Sequence, residues 1–183
     1  MDKARYTPLQ RLLHWAVAVL AICGLTLGLT LGVLGFEGAK NTFGMDATNV
    51  IYKYHKTFGV LVLALMLVRL AVRLGVGRPE YDPPLPPVNR AVSRMVHGAL
   101  YVLLLVQPVL GWAATAAGGF PIEFFSWELP KFLSKNPALS ASLYDLHGAV
   151  GLFLLVLITV HISAALFHWL SLRDNVIRRM SLF

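Results

Sequence analysis

Apolar residues dominate four long stretches of this chain, residues 12–34, 50–74, 91–117 and 141–170, and polar residues gather between them. Each stretch meets or exceeds the ~20 residues that carry a helix across ~30 Å of hydrocarbon. A helix is required there, because lipid offers no water to satisfy backbone N–H and C=O groups. The pattern predicts an all-α membrane protein, a single four-helix transmembrane bundle whose short links make sequential helices antiparallel. The first stretch resembles a signal peptide, but it is longer than a typical h-region and opens on His14 and Trp15; it is read as a retained span.

Details within the pattern refine it. Gly24, Gly28 and Gly32 recur every fourth residue on the first helix. Close helix packing explains them best, and room for a planar group is the other reading. Pro108, after Gln107, should kink the third helix. The link 79–87 (PEYDPPLPP) should be stiff and extended. Residues 122–133 mix aromatic and charged side chains and are expected to lie on the membrane surface as a short helix. Trp15 and Trp169 mark one interface and Trp127 the other. No convincing internal repeat is present.

Mean hydropathy of +0.66 over 183 residues leaves little of the chain outside a bilayer. The formal charge of +7 hides an asymmetry. One side collects Lys3, Arg5, Arg11, Arg69, Arg73, Arg78, Arg90, Arg94, Arg173, Arg178 and Arg179; the other has Lys40, Lys53, Lys56, Lys131 and Lys135. That bias places both termini in the cytoplasm, and the link 118–140 outside. Cations clustered at span ends argue against nucleic acid as a partner. Cys23 is the only cysteine, so no intrachain disulfide can form, and without a C-x-x-C-H sequence any haem is held non-covalently.

All six histidines, His14, His55, His97, His147, His161 and His168, lie inside or at the edges of the spans. Ionisable groups are costly there. Helix direction converts sequence position into depth. His55 and His147 sit just inside the outer end, so their pairing is nearly forced. The inner level offers His14, His97, His161 and His168, and His161 with His14 is the preferred pair. At ~1.5 Å per residue, His147 and His161 differ in height by about 21 Å. Two imidazoles from different helices at one height suit the axial positions of a haem iron, which implies two b-type haems across the membrane. A single intramembrane histidine often just hydrogen-bonds between helices, but the two-level arrangement favours ligation for His14, His55, His147 and His161; for His97 a hydrogen bond, such as one to a propionate, is favoured. A zinc or di-metal site is disfavoured, because the bundle core lacks carboxylates to join the histidines. Gly59, Gly148 and Gly151, near His55 and His147, can open space for a ring or simply pack helices. Arg69, a turn inside the second helix, needs an anion such as a haem propionate or must snorkel; Arg73 is a further propionate candidate for which snorkelling is favoured, as for Arg94.

The ordered set LQRLLHW around His14, YHKTFGVLVLALMLVRLAVRL through His55, HGALYVLLLVQPVLG from His97, and LHGAVG with VHISAALFHW spanning His147, His161 and His168 resembles the bacterial cytochrome b561 family over nearly the whole chain. The resemblance implies haem ligation by His14, His55, His147 and His161, ubiquinone on the cytoplasmic side, and a quinone-contacting role for His168. It further implies oxidation of superoxide, with electrons passed through the haems to quinone in the bacterial inner membrane. Lys53, Lys56, Lys131 and Lys135 at the outer end could draw in that small anion, although an ordinary interfacial role is slightly favoured for each one taken alone. Three functions remain in view: a superoxide:ubiquinone oxidoreductase, a haem b subunit fed by a periplasmic redox partner, and a non-redox histidine-lined carrier of protons or metal.

Overall fold

The computed structural model describes residues 5–81 and 84–182. Lys3 and residues 82–83 of the proline-rich link, both used above, lie outside the described residues. Four long helices carry the fold: α1 (Pro8–Phe43), α2 (Met45–Val76), α3 (Pro87–Gly118) and α4 (Pro137–Phe167). All four are long and apolar enough to span a membrane. α1 begins with Pro8 at its first position, behind a capping box. Thr7 Oγ1 accepts from Gln10 N–H at 3.3 Å, and Gln10 Oε1 accepts from Thr7 N–H at 3.1 Å. Such a cap is worth about 1 kcal/mol. The Gln10 amide also donates to the Gly77 carbonyl at 2.8 Å, tying the start of α1 to the end of α2.

Gly44 alone separates α1 from α2, at φ +82°, a conformation that favours glycine. Gly35, at φ +64°, breaks the regular helix of α1 one residue past its apolar stretch. Beyond it the two helices continue together, with Ala39 and Thr48 fully buried. α3 continues through Pro108, whose missing N–H leaves the carbonyl one turn back without its helical donor.

α1 packs along α2, α3 along α4, and α2 joins the two pairs by packing on α3. α4 makes only sparse backbone contact with α1 and less with α2. The one core cluster is Val17, Ala21, Val62 and Met66, with Leu20, Leu65, Tyr101, Leu104 and Leu105 against it. Every member comes from α1, α2 or α3. No α4 residue belongs to that cluster, although Leu154 on α4 is itself fully buried.

The surface helix expected over 122–133 is instead a β-hairpin, β1 (Ile122–Phe124) with β2 (Trp127–Leu129). Ile122 faces Leu129, Glu123 faces Glu128, and Phe124 faces Trp127. Its residues alternate with period two, prolines 121 and 130 bracket it, and Phe125 takes φ +52° in the turn. Ile122 is buried beneath it, while Trp127 stays exposed. Glu123 opposite Glu128 would repel. Lys56 offsets this by pairing with Glu123, and Lys131 by pairing with Glu128 at 3.4 Å.

At the arginine-rich end the chain passes through a π-type turn (His168–Leu172) and a short 3-10 turn (Ile177–Arg179). Arg179 is buried there. Its guanidinium donates to the carbonyls of Pro79 and, at 3.1 Å, Glu80, and lies 3.9 Å from the centre of the Tyr81 ring. The tail is held further by Trp15 donating to the Met180 carbonyl at 2.8 Å and by Arg11 donating to that of Ser181 at 2.6 Å. Arg179 thus fastens the α2–α3 link to the tail instead of serving only as a topogenic charge. Arg179→Met should cost about 2 kcal/mol, since hydrogen bonds from a charged group contribute about 1.5–3 kcal/mol each. A lowered unfolding midpoint and faster proteolysis within 79–86 are the expected readings; an unchanged midpoint would disprove the strap.

Candidate functional site

The histidines come together at two levels. At the outer level the rings of His55 on α2 and His147 on α4 have centres 5.9 Å apart, at 88°. At the inner level His161 on α4 lies between two partners: His14 on α1 at 6.2 Å and 74°, and His97 on α3 at 5.2 Å and 85°. α4 hardly touches α1 or α2 through its backbone, yet its two imidazoles reach theirs.

Those spacings have a chemical meaning. A metal–imidazole bond of about 2 Å on each side, plus about 1 Å from nitrogen to ring centre, sets the centres about 6 Å apart across one metal. Both His55 with His147 and His14 with His161 fit; His97 with His161 is too close. Among the described residues no group of three or more His, Cys, Asp or Glu is placed to hold a metal ion, so the donor set is pairs of imidazoles, as axial ligation of a haem uses.

The outer pair is held by backbone. His55 Nδ1 lies 3.0 Å from the Gly24 carbonyl, and His147 Nδ1 lies 3.1 Å from that of Gln107. A carbonyl only accepts, so each Nδ1 carries the proton and each Nε2 keeps its lone pair. One turn beyond each carbonyl stands a glycine. A Cβ on Gly28 would lie 2.8 Å from His55 Cε1, and one on Gly111 2.9 Å from His147 Cε1. The same device therefore appears twice: a carbonyl that orients the ring, and a missing side chain four residues on that lets it approach. Gln107 adds a side-chain bond, its amide nitrogen donating to the His147 carbonyl at 2.9 Å, while its Oε1 is buried without a partner.

The inner level is built differently. Arg69 Nη1 approaches His14 Nδ1 at 2.8 Å, and Arg69 Nε donates to the Tyr101 hydroxyl at 2.9 Å. A guanidinium only donates, so His14 Nδ1 accepts and its Nε2 bears the proton. His97 Nδ1 donates to the Ser93 carbonyl at 2.6 Å. Arg73 stacks on Tyr101, 5.0 Å from the ring centre. His168 lies in the π-type turn with Nδ1 against Asp174 Oδ2 at 2.5 Å.

Of the outer lysines, Lys56 and Lys131 are engaged by the hairpin glutamates. Lys53 is half-buried with no ion pair among the described residues, and the stem of Lys135 lies over Gly119. Lys40 pairs with Glu37 at 3.3 Å. Five lysines share this end with five carboxylates, Glu37, Asp46, Glu123, Glu128 and Asp145, so it carries no net charge.

Four spanning helices that enclose paired imidazoles define a multi-pass helical protein of the bacterial inner membrane. The chain belongs to the prokaryotic cytochrome b561 family, whose model matches residues 5–181. It is 28% identical to cytochrome b561 homolog 1 of Escherichia coli (strain K12), over 96% of both chains. It is 30% identical to cytochrome b562 of Cereibacter sphaeroides, over 96% of this chain and 94% of that one. It is also 26% identical to a probable superoxide oxidase of Yersinia pestis, over 96% and 95%. Membership makes the chain a transmembrane electron-transfer protein of the haem b type.

Reading the sequence did not single out Gly111 or the amide of Gln107. An amide inside an apolar span was the available signal for the latter; for Gly111 there was none. Alanine at either close-contact glycine should be felt. Gly28→Ala and Gly111→Ala are each expected to cost about 1–3 kcal/mol by overpacking against a ring. Gly32→Ala, with nothing within 4 Å, should be neutral. Thermal unfolding of the three variants checks this, and equal midpoints would refute it.

Proposed function

We propose that the protein moves electrons across the membrane through two b haems, one clamped by His55 and His147 near the outer face and one by His14 and His161 nearer the cytoplasm. The substrate at the outer face is superoxide, and the acceptor at the inner face is ubiquinone. The observation that carries the reading is the pair of ring separations near 6 Å at two depths. The 14 residues between His147 and His161 amount to about 21 Å along α4.

Haems held by these two histidine pairs would supply outer-sphere, one-electron chemistry. The protein does the rest. The carbonyls of Gly24 and Gln107 keep Nδ1 protonated and leave Nε2 of each outer histidine with a lone pair for a metal. For His14 to present an unprotonated Nε2, Arg69 must leave its Nδ1, and a haem propionate is the anion that would draw Arg69, with Arg73 and His97 nearby. Two superoxide anions each lose one electron and leave as oxygen; one quinone gains two electrons and two cytoplasmic protons. Asp174 accepts Nδ1–H of His168, and a proton taken up from the cytoplasm at Nε2 would let that nitrogen donate to a quinone carbonyl and pass the proton on. At the outer face Lys53, two residues from His55, and Lys135 are the cations without an acidic partner among the described residues; Lys56 and Lys131 are largely neutralised.

That neutralisation favours a second reading, in which the electrons come from a docked periplasmic redox protein. The outer end has no net charge and exposes Phe120, Phe125, Trp127 and Phe132. Rapid mixing separates the two. Superoxide should reduce the haems within milliseconds to a second and drive quinone reduction. Haems that stay oxidised would leave only the second reading. His147→Ala should halve the haem content by removing the outer haem and sparing the inner one, read from haem-to-protein ratio and reduced-minus-oxidised spectra. Loss of both haems, or of neither, would contradict the two-level clamp.

A further inference from the structure

A cavity of about 380 Å³ opens at the arginine-rich end, lined by Trp169, Leu170, Arg173, Asp174, Asn175 and Arg178. Its size falls within the roughly 300–1,000 Å³ of small-molecule sites. We propose that it binds the headgroup of an anionic phospholipid of the cytoplasmic leaflet, with Arg173 and Arg178 holding the phosphate.

Three observations carry this. First, neither guanidinium has a hydrogen bond or ion pair among the described residues, unlike that of Arg179 one position further on. The π-type turn ends on Arg173, held at φ +52°, and the 3-10 turn brings Arg178 to the same cavity. Second, the one acid in the lining does not neutralise them. Asp174 Oδ2 is taken by His168 and Oδ1 accepts from Val176 N–H at 3.0 Å. The cavity therefore presents two unpaired cations with a carboxylate turned into its own loop. Third, the other side of the rim is apolar. Trp169 and Leu170 are 57% and 61% exposed, and they continue the lipid-facing surface of α4 to its cytoplasmic end. A ligand with a phosphate at the level of the guanidiniums and acyl chains along α4 satisfies both sides. An uncharged quinone headgroup leaves both guanidiniums unmatched. This assignment does not depend on the haems or on the electron donor.

The test uses the full-length protein, delipidated in an uncharged detergent and titrated with phosphatidylglycerol or phosphatidylcholine, with retained lipid counted by native mass spectrometry. Two cations near an anionic headgroup correspond to about a thirtyfold preference for the anionic lipid. Arg173→Gln with Arg178→Gln should abolish that preference. Arg173→Lys with Arg178→Lys should keep most of it, and Arg94→Gln, an exposed arginine on the same membrane face, should leave it intact. Equal retention of the two lipids by the wild-type protein would overturn the proposal, as would unchanged preference in the double glutamine variant. Displacement by inorganic phosphate alone at millimolar concentration would reassign the cavity to a free anion. Displacement by a short-chain quinone would reassign it to the electron acceptor. Haem content measured on each variant separates a lost site from a lost fold.

Discussion

An imidazole inside hydrocarbon has two nitrogens to satisfy and no water to do it with. Most of this bundle's interior answers to that demand. At the outer level a carbonyl of a neighbouring helix takes Nδ1–H of each histidine, and the two rings stand with centres 5.9 Å apart. A carbonyl already bonded within its helix can accept a second donor only if the ring comes close, and closeness requires that no side chain stand one turn further on. Gly28 and Gly111 follow from this requirement. At the inner level the same demand is met by different means, a guanidinium on His14 and a serine carbonyl on His97.

The same demand bears on how the fourth helix meets the first two, which its backbone barely touches. Aliphatic interlocking unites α1, α2 and α3, and α4 is absent from it. α4 is positioned by its antiparallel partner α3, by the Gln107 amide, and by ring-to-ring approaches to α1 and α2. In a bundle whose helices are all equally apolar, lipid competes with helix packing on even terms. A cofactor held between the paired rings would therefore add contact between α4 and the first two helices.

The four spans and their direction were legible because length, hydropathy and cation bias each depend on composition along the chain, and none needs a tertiary contact. The meeting of His55 with His147 was legible as well, since helix direction alone puts them at one height. The hairpin at 122–129 was not. Its aromatic and acidic residues suit a surface helix as readily as two short strands, and what decides is the reach of Lys56 from α2 to Glu123, a contact with no local trace. Choosing among the inner histidines was likewise beyond depth alone, because His97 and His14 both approach His161. Arg179 looked like one more topogenic cation until the carbonyls of Pro79 and Glu80 were found beside it.

The pairing of lysines with hairpin carboxylates bears on how anything reaches the outer end. With five cations against five anions, the field there falls away within a few ångströms and has no long-range component to gather ions. Arrival at His55 and His147 is then set by collision frequency and local shape, and it is insensitive to ionic strength. The whole formal charge of the chain resides at the opposite end, so the two faces respond to salt in entirely different ways.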